Sequence, residues 1–447
     1  MNEISVNFNK VTGKIKPIHS MCCAPYEVAM GNEQRYIDKY FKEAGIPYCR
    51  LHDCCGGWGG AHFVDVPNIF PDFDADENDA DNYDFHYSDE YIGAIQKAGT
   101  EAYYRLGVTI EWGSKKYCAT PPKDFAKWAR ICEHIILHYN HGWANGFDYG
   151  ISYWEIWNEP ENPGNRFGGC MWTGTKEEFF ELYKVSSKYL KEKFDYIKIG
   201  GYGSCGFYAV TRDNIPESYK GFVTYFEDFL KMLKKEKCPL DFYSWHIYTD
   251  DVQEVLSHAR YVRETLDKNG FTETESHLNE WNYGAEGEGF TNKHNMIGTS
   301  FDASVLCSLQ NTDYVDIANY YCFSLSGIYN GLLEQNSYAT SLAWYPFVAF
   351  GDLYRLGEGV ETKSESNGVY VTAAKNDNAY DILAVNYINE DCQTLFHIDG
   401  CDGQKDAHII FIKEGVHMQE EFSFSFYEKT NLKLNLPKET VVFIKIR

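Results

Sequence analysis

ISYWEIWNEPENP, residues 151–163, starts as an apolar β-like run and stops abruptly at Asn158, Glu159 and Pro160. A carboxylate is costly to bury without partners, so Glu159 at the mouth of such a run is either solvated or in use. Seven other runs share this character: IKPIHSMCC (15–23), PYCRLH (47–52), EAYYRLGV (101–108), YIKIGG (196–201), LDFYSWHIY (240–248), ESHLNEW (275–281) and VDIANYYCF (315–323). Amphipathic stretches separate them, at about 31–44, 88–98, 121–139, 175–193, 221–237, 252–269, 293–312 and 340–350. In the clearest, Phe125, Trp128, Cys132, Ile135 and Tyr139 recur at helical spacing, and Pro121-Pro122 suits a helix start.

Eight β-like runs, each followed by a helical one, predict an α/β fold: a (β/α)8 barrel over 15–352. A doubly wound open sheet is the rival, but no glycine-rich phosphate fingerprint follows the first run. From about 353 to 447 the helical runs stop. GVYVTAAK (368–375), YDILAVNY (380–387), HIIFIK (408–413), FSFSF (422–426) and TVVFIKIR (440–447) read as a small β-sandwich. Residues 1–14 hold one more strand, ISVNF, suited to joining that sandwich. The long loop after the second run, 53–87, has the length of a functional segment. Its acidic part DFDADENDADNYD (72–84) lacks the glycine and terminal Glu of a calcium loop, and is expected as a solvated lid.

The chain has 447 residues, enough for such a barrel and a second domain. Its net charge of −24 argues against nucleic acid and against an anionic membrane surface. No run reaches the roughly 18 apolar residues needed to span a bilayer. MNEISVNFNK has no basic segment followed by an apolar one, and the adjacent pairs Cys22-Cys23 and Cys54-Cys55 suit reduced thiols. A cytoplasmic protein is therefore expected, with no cofactor and no metal.

In a (β/α)8 barrel the active site lies at the C-terminal ends of the strands. There the sequence places Arg50 and His52, Asn158 and Glu159, His246 and Tyr248, Asn279, Glu280 and Trp281, and Tyr320 and Tyr321. Glu159 and Glu280, at the mouths of the fourth and seventh strands, are the pair that glycoside hydrolysis requires: one carboxyl delivers a proton, the other attacks the anomeric carbon or activates water. Glu155 is expected mid-strand in a structural pair, and Glu161 solvated past the turn. Trp154 and Trp157 read as core. Trp58, Trp112, Trp172 and Trp281 are candidate sugar platforms.

WNEPEN, the later LNEWN, the YCRLHD segment and WHIY, together with the C-terminal strands, resemble glycoside hydrolase family 39, the β-xylosidases and α-L-iduronidases. The resemblance implies Glu159 as acid/base and Glu280 as nucleophile, with retention of configuration. It implies Asn158 on the 2-hydroxyl, Tyr248 and His246 supporting the nucleophile and the sugar, and His52 on a sugar hydroxyl. Two departures stand out. The family's usual His-Gly is His52-Asp53 here, and its Trp at the end of the last strand is replaced by Tyr321 or Phe323. The implied activity is exo-action on short oligosaccharides, with a β-xyloside first and an α-L-arabinoside next. An iduronide would need basic residues, for which Arg50, Arg105 and Arg166 are the candidates. Many family members self-associate, so a homo-oligomer is an option, although no residue pattern demands one. The rival from another class is a carbohydrate-binding protein on a retired barrel, which predicts the loss of one carboxylate, and both are present. A metal-dependent hydrolase is a third reading.

Overall fold

The computed structural model of the protein describes residues 2–447 apart from 24–25, 28–34, 37, 55–61, 112, 165–168, 285–291, 324–331, 334–338 and 388–389. The chain opens with β1 (Asn2–Lys14), which joins the C-terminal sheet. Eight parallel strands then close a barrel in chain order: β2 (Ser20–Cys22), β3 (Tyr48–Arg50), β4 (Glu101–Leu106), β5 (Tyr153–Ile156), β6 (Lys198–Ser204), β7 (Phe242–Thr249), β8 (Glu275–Tyr283) and β9 (Ile317–Tyr320). Around them run α1 (Asp38–Ala44), α2 (His86–Lys97), α3 (Phe125–His141), α4 (Lys176–Lys193), α5 (Glu217–Glu236), α6 (Val252–Asn269), α7 (Met296–Gln310) and α8 (Tyr345–Leu356). The expected barrel is present. Among the described residues, no helix is long and apolar enough to cross a membrane.

Local sequence sets the helix ends. Asp124 caps α3 by accepting hydrogen bonds from the Ala126 and Lys127 amides, so the helix starts after Pro121-Pro122 and not at them. Thr175 and Glu178 form a reciprocal capping box at α4. Helix α7 is buried on nearly all sides, because it lies between the barrel and the C-terminal sheet; Leu383, Val385 and Phe443 belong to the same apolar cluster as its Phe301 and Val305.

The C-terminal strands are β10 (Glu358–Ser364), β11 (Val369–Lys375), β12 (Tyr380–Asn386), β13 (Cys392–Asp399), β14 (Gln404–Lys413), β15 (Val416–Tyr427), β16 (Thr430–Leu436) and β17 (Thr440–Ile446). With β1 they form one hydrogen-bonded sheet of nine strands, in the order β15-β14-β17-β12-β11-β10-β1-β13-β16. Strand β1 pairs antiparallel with β10 and parallel with β13, as expected of the N-terminal strand. The sheet encloses its own apolar cluster, to which Ile4, Val6, Ile382, Phe396, Ile409, Leu434 and Ile444 contribute.

The stretch 72–84 is solvated, as expected, with none of its residues buried. It is a strap along α3, not a lid: Glu77 pairs with Arg130 and Lys127, and the Lys127 ammonium donates to the Ala75 carbonyl. Tyr83 packs between Phe70 and Trp143. Glu77 facing Arg130 and Lys127 anchors it.

Candidate active site

The barrel interior is layered. Its floor is aromatic: Tyr103 stacks on Tyr153 and Phe242 on His277. Above lies a polar layer centred on Arg50, which is fully buried. The Arg50 guanidinium donates to Glu155 Oε2 at 2.7 Å, to Glu280 Oε1 at 2.8 Å and to Asn158 Oδ1 at 2.6 Å. Asn279 donates to Glu155 Oε1 at 2.9 Å and to the Tyr103 hydroxyl at 3.1 Å. Burial works against the Glu155 charge, but Arg50 outweighs it and holds the carboxyl below its usual range. Replacing Arg50 with Met would leave two buried carboxylates without their cation. The expected cost is about 3–5 kcal/mol of stability, together with loss of activity, read by urea unfolding of the two proteins.

The top layer brings Glu159 and Glu280 together. One oxygen of each, with one His246 nitrogen, lie within 4.8 Å of one another. His246 Nδ1 is 2.9 Å from Glu159 Oε1 and 3.7 Å from Glu280 Oε2. The Tyr248 hydroxyl donates to Glu280 Oε2 at 2.7 Å, and Asn162 donates to Glu159 Oε2 at 2.7 Å. Burial opposes the Glu159 charge, yet the His246 hydrogen bond and charge prevail and keep the carboxyl below its ordinary value. Burial likewise opposes the His246 charge; Glu280 and Glu159 outweigh it and raise the imidazole. The two groups are therefore coupled through one shared proton.

The turn that makes this layer is strained. Trp157 and Glu159 both lie in the left-handed region, at φ +73° and +43°. It fits because Gly203 faces it: a Cβ there would stand 2.9 Å from Asn158 Oδ1 and 3.1 Å from Arg50 Nη2. Glu161 is not solvated as expected. The turn swings it behind Glu159, where it accepts from the Ser204 hydroxyl and the Cys205 amide, both at 2.8 Å. Its Oε2 is shut away from solvent, and burial, then neighbouring Glu159, push the carboxyl up to about 8.

Of the other expected residues, His52 is buried with its Nε2 3.9 Å from Glu280 Oε1, and Tyr321 donates to Asp53 Oδ2 at 3.0 Å. Trp281 is a correction: it lies on the outer wall, 1% exposed, edge-on to Tyr320 and against Phe347 of α8. An irregularity in β8 between Leu278 and Glu280 turns both Asn279 and Glu280 inward, which throws Trp281 out. Trp172 is wall packing as well, edge-on to buried Trp157. Trp58, Trp112 and Arg166 lie outside the described residues. Arg50 and Arg105 are each tied to buried acids, Arg105 to Asp65 at 2.7 Å, so neither is spare for a sugar carboxylate. Sequence reasoning missed Arg50 as the centre of the site; its only signal was a cation inside a strand, two residues before His52.

Glu159, His246 and Glu280 are also donor types that hold divalent metals. The Arg50 guanidinium bound directly to Glu280 works against that use, since a second cation would face it across one carboxylate.

The model of glycosyl hydrolases family 39 matches residues 2–340. The chain belongs to that family. It is a glycoside hydrolase and acts on glycosides. A β-xylosidase of Geobacillus stearothermophilus is 22% identical over 407 residues, covering 80% of this chain and 73% of the relative. Among solved structures, a glucosidase of Croceicoccus marinus aligns with a TM-score of 0.80 at 20% identity, over 100% of this chain and 98% of the other. A β-xylosidase of Caulobacter crescentus CB15 aligns with a TM-score of 0.72 at 14% identity, over 100% and 99%. At those identities the structural likenesses speak for the fold alone.

Proposed function

We infer that this family 39 hydrolase is a retaining, exo-acting β-xylosidase. The observation that carries the reading is the close approach of the Glu159 and Glu280 carboxyls, within 4.8 Å at their nearest oxygens. Retaining glycosidases hold their carboxyls about 5–5.5 Å apart, whereas inverting ones leave about 6.5–9.5 Å for a water. The β-xyloside preference is supported by the name of the Geobacillus relative, and an α-L-arabinoside is the next glycone to test. Every cysteine among the described residues is a free thiol, which supports action in a reducing interior on short oligosaccharides.

In this mechanism Glu280 attacks the anomeric carbon while Glu159 delivers a proton to the departing oxygen. A glycosyl ester forms on Glu280 and the aglycone leaves as an alcohol. Glu159, now a carboxylate, takes a proton from water, which attacks the same carbon and returns Glu280 as leaving group. Two inversions give net retention. Arg50 and Tyr248 each hold one Glu280 oxygen, which fixes the line of attack. Arg50 also holds the Asn158 carbonyl oxygen, which leaves the Asn158 amide group to donate to the 2-hydroxyl. His246 stores the proton that Glu159 must carry.

A panel of aryl glycosides tests the reading: β-D-xyloside, α-L-arabinopyranoside, α-L-arabinofuranoside, β-D-glucoside, β-D-galactoside and α-L-iduronide. The expected result is preferential hydrolysis of the β-D-xyloside, undiminished after exhaustive chelation. Preference for another member would reject the xylosidase assignment, and loss on chelation would favour a metal at the carboxylate pair.

A further inference from the structure

The mechanism gives Asp53 no role. Asp53 follows His52 at the mouth of β3, and its carboxyl lies 3.5 Å from His52 Nε2. That nitrogen is 3.9 Å from Glu280 Oε1, so His52 stands between Asp53 and the nucleophile. On its other side Asp53 accepts from the Tyr321 hydroxyl at 3.0 Å, and from the Ile110 amide at 3.2 Å. Three elements thus converge on one carboxyl, which retains a 19% exposed side chain. The two departures that the sequence shows around the sugar pocket, Asp53 and Tyr321, are bonded to each other.

The backbone adds a second observation. Asp53 sits at φ +49°, a conformation that glycine adopts without steric penalty and that other residues adopt at a cost. That turn sets the Asp53 carboxyl beside His52. His52 beside it is 3% exposed and has a buried Nδ1 with no hydrogen-bond partner. A buried polar atom of that kind calls for a partner, and a sugar hydroxyl is one that could supply it. Burial first, and then the Glu280 charge, push the Asp53 carboxyl up to about 7.

We propose that Asp53, oriented by Tyr321, is a specificity residue that accepts a hydrogen bond from a ring hydroxyl of a neutral glycone, on the side of the sugar away from the scissile bond. The proposal rests on the glycosidase reading of Glu159 and Glu280. A pyranose ring bound with its anomeric carbon at Glu280 spans the His52 edge and presents its 3- and 4-hydroxyls toward Asp53. A uronic acid would bring a carboxylate toward this acid, so anionic glycones are excluded at the same point.

The test uses the full-length protein, its preferred aryl glycoside, and the 3-deoxy and 4-deoxy analogues of that glycoside. Asp53→Asn is expected to lower kcat/KM about 10- to 100-fold on the parent, the range for losing a hydrogen bond to a charged group. On the analogue that lacks the contacted hydroxyl, the same substitution should cost no more than about 3-fold, because the interaction is already absent. Tyr321→Phe, which keeps the ring and frees the carboxyl, should show the same pattern at smaller amplitude. Equal losses on the parent and both analogues, in both variants, would make Asp53 a structural residue and overturn the proposal alone. A wild type that hydrolyses no glycoside would overturn the glycosidase reading and the proposal together.

Discussion

Glu280→Ala is expected to lower kcat/KM by roughly four to six orders of magnitude, the scale of removing a covalent nucleophile. No other described carboxyl can take over. Glu155 is locked between Arg50 and Asn279, Glu159 is bonded to His246, and Asp53 is beyond His52. The substitution removes the acceptor for Arg50 Nη1 and the Tyr248 hydroxyl, but Arg50 keeps Glu155 and Asn158, so the barrel should still fold. The check is kinetic, with sodium azide as the second arm. A small anion fits the space of the lost carboxylate, and a β-glycoside should then give the α-glycosyl azide. A variant that kept activity within about tenfold would remove Glu280 from the chemistry.

Glu159→Ala should behave differently, and the difference assigns the roles. A general acid contributes about 100- to 10,000-fold. That loss is expected for substrates with poor leaving groups, and little loss in the first step is expected for a dinitrophenyl glycoside, whose leaving group needs no proton. Azide should now rescue with retention, giving the β-glycosyl azide, because Glu280 still forms the intermediate. The pH profile follows from the proton shared with His246. The imidazole is raised and the carboxylate lowered, so the pair carries its proton at low pH and loses it as pH rises through the raised His246 value. Wild-type kcat/KM should therefore fall on the alkaline side. The variant acting on the dinitrophenyl glycoside should lack that limb.

Much of this was legible in the chain because a barrel writes its active site at strand ends. The runs that carry the site end at polar residues, and Asn158, Glu159, His246, Tyr248 and Glu280 converge at that end of the barrel. What was illegible depends on departures from regular alternation. One irregularity in β8 places Asn279 and Glu280 on the same side and turns Trp281 outward, which no periodic reading anticipates. The left-handed turn at Glu159 sends Glu161 inward although it follows a proline in a polar loop. Arg50 was seen as a strand-end residue, but its bonds join residues 105, 108 and 230 positions away. Such partners are fixed only when the barrel closes. The strap at 72–84 is mostly solvated as read, but its anchor was illegible for a related reason: Glu77 meets Arg130 and Lys127 only once the helix packs beneath it.

Trapping the intermediate tests the central claim most directly. A 2-deoxy-2-fluoro glycoside with a good leaving group slows both steps, and slows the second more when the first is assisted by that leaving group. Incubation followed by proteolysis and mass spectrometry should find the fluoroglycosyl group as an ester on the peptide that carries Glu280, and on no other. A chain that turns the reagent over without labelling, or carries the label on another carboxyl, would contradict a double displacement through Glu280.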